Sequence, residues 1–314
     1  MKGRLDYFLN ALEMAAKSLA RVTDEHRVLV GSVGYFGDLF ADIFTSQGIA
    51  VERIRVGDGK PLPIDILEHK LEERHFDVVA VTHNETSTGL TNDLYRLSQA
   101  VREHDALFVV DAVSSLGGIP INVVVDGIDF LVTSPQKCLG VPPGLGIAIV
   151  NERAIERASQ VPNRGYTTDL LGHVKADKKD QTLATPPLAQ IEALYAQLKY
   201  ILHEEGAENR YQRHHDLGER TRAWALENGF QLFPVREYAS DTVTCVSNTR
   251  GEDLAGLQME LGRQGYGFDP CYRALNESQK RKGLPDTFRI AHMGDRTMDQ
   301  LETYLSAVSA VLKK

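Results

Sequence analysis

The chain has 314 residues, 42% hydrophobic and 25% charged, with a formal net charge of −8. That balance suits an ordinary globular protein with a sizeable core, and the acidic excess argues against a nucleic-acid or anionic-membrane partner. Three cysteines (Cys138, Cys245, Cys271) lie far apart with no Cys-x-x-Cys pair. This argues against a disulfide framework or a cysteine-rich metal site and suits a reducing compartment.

Residues 1–22 carry charges at intervals that suit an amphipathic helix rather than a signal peptide. No apolar run reaches the length of a membrane span, so the chain is expected to be soluble and cytoplasmic. Strand-like runs follow at Arg27–Ser32, Val51–Val56, Asp77–Thr82, Leu107–Asp111, Phe130–Thr133 and Gly146–Val150. Amphipathic stretches at Gly37–Ser46, Ile64–Glu73 and Asn92–His104 alternate with them. This order predicts an α/β unit: a mostly parallel sheet flanked by helices, with ligands gathering at the carboxyl ends of its strands. Beyond residue 151 come a polar excursion (161–184) and two long helical patterns, Leu188–Glu205 and Glu208–Asn228. Strands near Thr242–Ser247 and Thr287–Ile290, with helices near Leu254–Gln264 and Met298–Val311, read as a smaller C-terminal α+β domain. The expected division is 1–205 and 206–314. His214-His215 reads as solvated on a polar helical face, and Lys280-Arg281-Lys282 as a solvated loop.

Four segments follow strand ends or tight turns: Gly34-Tyr35-Phe36-Gly37, THNETSTG (82–89), Asp111–Gly118 and Thr133–Gly144. Singly, each has a plain reading as a turn, a loop feeding a helix cap, or a surface lysine beyond a buried strand. Together they deliver one lysine (Lys137) and one carboxylate (Asp111) from neighbouring strand ends, with hydroxyls and aromatics nearby. Pyridoxal phosphate chemistry needs that set: an amine nucleophile, a carboxylate to keep the pyridine nitrogen protonated, a donor for the ring oxygen and a face to hold the ring. These segments leave the phosphate donors unassigned. No metal is expected, because His83 and Glu85 lack the Pro-Cys-x-x-Cys partner of a deaminase centre. Gly144-Leu145-Gly146 lacks the third glycine of a dinucleotide loop, and Cys138 reads as a small buried residue.

THNETSTG, VVDAVSSLGGIP (109–120), SPQKCLGVPPG (134–144) and FRIAHMGD (288–295), in this order, resemble the class V (fold-type I) aminotransferases, especially the alanine–glyoxylate/serine–pyruvate group. The similarity runs from about Ala11 to the C-terminus. It implies Lys137 as the Schiff-base lysine and proton shuttle, Asp111 as the pyridinium partner, and Val113 packed under the ring. Phe36 matches the aromatic stacked on the ring face, Thr86 the hydroxyl near the ring oxygen, and Gln136 a phosphate contact. Arg289 matches the clamp on the substrate α-carboxylate, a task that suits a planar guanidinium. Thr185, in Ala-Thr-Pro-Pro, matches a threonine that reaches the phosphate of the neighbouring subunit's cofactor, which implies a homodimer with shared sites.

The implied reaction moves an amino group between alanine or serine and glyoxylate or pyruvate. Alternatives within reach are a 2-aminoethylphosphonate–pyruvate transaminase and a catalytically silent dimeric relative. The second arises because the family's glycine-rich phosphate loop is replaced here by Asp6-Tyr7-Phe8-Leu9-Asn10. Bulky residues and a negative charge there are expected to weaken phosphate binding, whether as a shortened start or as a true variant.

Overall fold

The computed structural model describes residues 7–20, 27–57 and 59–312. Its large sheet holds β1 (Arg27–Ser32), β2 (Ala50–Arg55), β3 (Val78–Thr82), β6 (Leu107–Asp111), β7 (Phe130–Thr133) and β8 (Ile147–Val150) in the order β2-β1-β3-β6-β7-β8. Between β3 and β6 lies a short hairpin of β4 (Asn84–Glu85) and β5 (Leu90–Thr91). All pairs in the large sheet are parallel except β7 with β8. The strands fall within about a residue of their expected limits.

Alternation along the central strands splits the core in two. Val28, Val30, Val78, Ala80, Val109, Phe130 and Val132 face helices α1 (Tyr7–Leu19), α2 (Tyr35–Ser46), α5 (Glu152–Ser159) and α6 (Leu170–Asp177). Leu29, Val79, Val81, Phe108, Val110 and Leu131 face α3 (Ile64–Glu73) and α4 (Leu94–Glu103). Both faces are therefore covered, as near-continuous apolar strands require.

Next come α7 (Leu188–Lys199), a π-helical turn (Tyr200–Glu205) and α8 (Ala207–Glu227). A three-stranded antiparallel sheet follows, ordered β11-β10-β9 from β9 (Gln231–Leu232), β10 (Val243–Ser247) and β11 (Thr287–Ala291). Its core is Leu217 and Trp224 of α8, Val246, Phe288 and Ile290 of the strands, and residues of α9 (Leu254–Arg263) and α11 (Met298–Leu312). This core shares no residue with the other two, and we propose residue 205 as the boundary on that ground.

Three local readings change. The basic cluster closes a helix, α10 (Arg273–Arg281), with Lys282 as its C-cap, so it is not a loop. The sequence hides this helix because it buries only Gln279. His214 is buried, its Nδ1 2.8 Å from the Arg210 carbonyl, and burial pushes its pKa down to about 4; only His215 is exposed. Asp6 lies outside the described residues, whereas Tyr7–Asn10 form the first turn of α1 rather than a loop. Among the described residues no helix is long and apolar enough to cross a membrane.

Candidate active site

Register brings three motifs to one edge of the large sheet: Asp111 pairs with Thr82 on one side and Val132 on the other. The chain leaving each strand end therefore enters one crevice, as parallel topology requires. Polar side chains tie these exits together. Asn84 Nδ2 donates to Ser114 Oγ (2.8 Å) and Thr242 Oγ1 (3.1 Å), and Thr86 Oγ1 donates to Ser114 Oγ (3.2 Å). Thr242 Oγ1 in turn donates to the Ser114 carbonyl at 2.8 Å, linking the large-sheet loops to the start of β10.

Asp111 ends β6 with only 4% exposure. Burial pushes its pKa up to about 7, assisted by the negative charge of Glu85 and opposed by the Val113 N–H, which donates to Oδ1 at 2.9 Å. Among the described residues no cationic side chain bonds to it. Lys137 sits in the turn after β7, and burial lowers its pKa, as does the positive charge of Arg289; Cys138, Asp111 and Asp269 act the other way. Among the described residues none accepts a hydrogen bond from its ammonium. Val113 and Phe36 are half-buried. Gln136 accepts a hydrogen bond from Ser134 at Oε1, which leaves its amide NH2 to donate elsewhere.

Phe36 lies in the first turn of α2, and the N–H groups of Phe36 and Gly37 both donate to Glu85 Oε2 at 3.0 Å. Ser87 N–H and Oγ donate to the other carboxylate oxygen at 3.0 and 2.6 Å. An internal anion thus caps this helix N-terminus, which gives Glu85 a structural task; burial raises its pKa and the four donors pull it back. His83 is neutral, pushed down to about 3 by burial, with Nδ1 2.9 Å from Ser115 Oγ. No metal-holding group occurs among the described residues.

Arg289 reaches the crevice from β11. Its Nη1 donates to the Thr86 carbonyl at 2.7 Å, its Nη2 pairs with Asp269, and its guanidinium lies 4.5 Å from the centroid of the Tyr272 ring. Its Nε is buried with no partner among the described residues. Tyr272 also stacks on Tyr35 (4.8 Å) and meets Phe36 edge-on (5.5 Å). Thr185 stands apart, exposed on the chain leading into α7.

Sequence reasoning missed Arg210, Asp269 and Tyr272. Arg210 is fully buried and binds the Cys138 carbonyl (2.6 Å), the Gly117 carbonyl (3.0 Å), Asp295 (2.8 Å) and Glu205 (2.6 Å). It thereby ties the lysine turn, the loop after Asp111 and the end of FRIAHMGD into one knot. Nothing in the polar face of α8 marks it beforehand.

A doubly covered, mostly parallel sheet with these groups at its strand ends defines a fold-type I enzyme, and residues 10–264 match the family described as Aminotransferase class-V. The chain belongs to that family and is an aminotransferase. It is 34% identical over 308 residues to an uncharacterized aminotransferase of Methanocaldococcus jannaschii, covering 97% of this chain and 77% of the relative. It is also 34% identical over 281 residues to alanine–glyoxylate aminotransferase 1 of Saccharomyces cerevisiae, covering 85% of this chain and 70% of that protein. The crystal structure of an alanine–glyoxylate aminotransferase from Nostoc sp. superposes with a TM-score of 0.87 at 27% identity, covering 99% of this chain and 82% of that one.

Proposed function

We propose that this aminotransferase uses pyridoxal phosphate to move an amino group between alanine or serine and glyoxylate or pyruvate, with Lys137 bonding the cofactor. One observation carries the reading: a half-buried amine (Lys137) and a buried carboxyl (Asp111) share a crevice, and among the described residues neither has an oppositely charged side chain bonded to it. Pyridoxal phosphate, when bound, supplies an aldehyde that condenses with amines and a protonated ring that takes up the electron pair of a deprotonated α-carbon.

The residues present fit the ring end of that group. Asp111 would hold the proton on the ring nitrogen, Thr86 would face the ring oxygen, and Val113 and Phe36 would flank the ring. Gln136 and, from a second copy, Thr185 would take the phosphate. Lys137, its pKa lowered by burial, holds its proton less tightly than a free lysine and would accept the substrate α-proton. Arg289 would offer the substrate carboxylate its guanidinium, whose buried Nε has no partner among the described residues.

A homodimer is part of the proposal. Helix α7 buries no residue, and it carries exposed Leu188, Ile191, Tyr195 and Leu198 on one stripe that Leu202 extends. Such a stripe is costly in water and suits a self-complementary interface. A 2-aminoethylphosphonate donor fits less well, because Asp269 sets a negative charge beside Arg289.

The test mixes the purified protein with pyridoxal phosphate, reduces with borohydride and maps the modified lysine, then assays alanine with glyoxylate. The expected result is a visible absorption band, a label on Lys137 and formation of glycine. A label spread over surface lysines, with no band at saturating cofactor, would sink the proposal and favour a catalytically silent relative. A better rate with 2-aminoethylphosphonate than with alanine or serine would replace the substrate assignment.

A further inference from the structure

Two thiols far apart in the chain meet beside Arg289. Cys245 lies on β10 directly across from Arg289 on β11, and Asp269 bridges Arg289 from the other side, two residues before Cys271. Both thiols donate to one carbonyl, that of Ser87, at 3.3 Å from Cys271 and 3.8 Å from Cys245. A shared acceptor sets the two sulfurs beside one another. Gly89 permits this approach, since a Cβ there would come within 2.7 Å of the Cys245 backbone nitrogen.

The two sulfurs differ in access and chemistry. Cys245 is fully buried, and burial raises its pKa; Cys271 is partly exposed. Cys271 lines a cavity of about 310 Å³ together with Pro270, Arg273, Asn276, Lys280 and Asp286, so this residue borders open space. The neighbouring Cys245 thiol and, after it, the positive charge of Arg289 lower the Cys271 pKa to about 7 despite burial. The third thiol, Cys138, is fully buried and pushed up to about 12. Cys271 also holds a φ of 63°, a left-handed conformation uncommon for residues other than glycine, with its N–H on Asp269 Oδ1 at 2.8 Å.

We propose that Cys271 and Cys245 form a redox-responsive pair that a hydroperoxide converts to a disulfide. The Cys271 thiolate attacks the peroxide oxygen, the O–O bond breaks, and the sulfur becomes a sulfenic acid as hydroxide or alkoxide leaves. Cys245 then attacks that sulfur, the S–S bond forms and water departs. Two thiols are oxidised and one peroxide is reduced. The new bond joins β10 to the turn at 269–272 and pins Asp269 and Tyr272 against Arg289. That last consequence rests on the proposed role of Arg289; the thiol chemistry does not.

The test treats the full-length protein with equimolar hydrogen peroxide, alkylates the remaining thiols and maps the peptides. The expected product is a Cys245–Cys271 cross-link that dithiothreitol reverses, with Cys138 still alkylatable after denaturation. Before oxidation, Cys271 should alkylate at least about tenfold faster than Cys138, with a pH midpoint about 7. Cys245→Ser should leave a dimedone-reactive sulfenic acid on Cys271, and Cys271→Ser should leave both other thiols reduced. Survival of all three thiols, or cross-linking through Cys138, overturns the pair. In cross-linked holoenzyme the KM for the amino donor should rise and fall back with dithiothreitol; an unchanged KM refutes the pinning of Arg289. A cross-link in protein that never labels at Lys137 upholds the pair and refutes the proposed function, and the reverse result does the opposite.

Discussion

At the carboxyl ends of the large sheet, half-buried Lys137 and buried Asp111 have no opposite charge bonded to them among the described residues, whereas Arg289, arriving from the small sheet, is matched by Asp269, the Thr86 carbonyl and the Tyr272 ring. An unmatched buried group responds by shifting its pKa towards neutrality, so its ionisation is held back until a partner arrives. A matched group keeps its charge, but a ligand must displace what already holds it. The crevice is thus poised on one side and self-satisfied on the other.

The sharpest way to break this contrast is Lys137→Ala. If Lys137 moves the proton, kcat should fall by about 10²- to 10⁴-fold, with no borohydride-trapped label in that turn. Next is Arg210→Ala, which takes one of two cations from Glu205, Arg213 remaining, and leaves the Cys138 and Gly117 carbonyls without their donor. It should cost about 3–5 kcal/mol in urea unfolding. Arg289→Lys replaces a planar fork with a point charge, and should lower kcat/KM by about 1.5–3 kcal/mol, mostly through KM.

Asp269→Asn should act in the opposite sense. The side chain is 48% exposed, so solvent screens the pair, and KM for the amino donor should drop only about 2- to 5-fold. A rise in KM would show that Asp269 positions Arg289 rather than competes for it. The last test is a slope. Because burial lifts the Asp111 pKa from 3.8 to about 7, the native cofactor-free state binds more protons than the unfolded chain in that window. The contribution of this group to stability is therefore greatest below pH 3.8 and declines towards pH 7, by at most about 1.4 kcal/mol per pH unit. Asp111→Asn should remove that decline in urea midpoints measured across the window.

Much of this architecture was legible in the chain. The six strands of the large sheet could be placed because each is a short apolar run bounded by turn residues, and the site motifs sit at their carboxyl ends. Helix α10 escaped notice because it buries only Gln279, and α6 because Leu170 is its sole buried residue, so neither shows an apolar period. His214 looked solvated among polar neighbours, yet α8 turns that face inward, where its imidazole meets the Arg210 carbonyl. The expected substitution of the phosphate loop stands as sequence; in the described structure Tyr7–Asn10 are simply helical.

The sequence by itself determined the strand order of chemistry: a lysine and an aspartate at neighbouring strand ends, an aromatic pair at a helix start, and an arginine in a late strand. Those are properties of short windows, where periodicity and turn residues act locally. Tertiary structure alone decided that Glu85 caps α2, that Arg210 knots three motifs, that Asp269 and Tyr272 cover Arg289, and that Cys245 and Cys271 share the Ser87 carbonyl. Each of these depends on register between β10 and β11 or on how distant segments pack, and no local pattern encodes a contact between segments brought together only by the packed core.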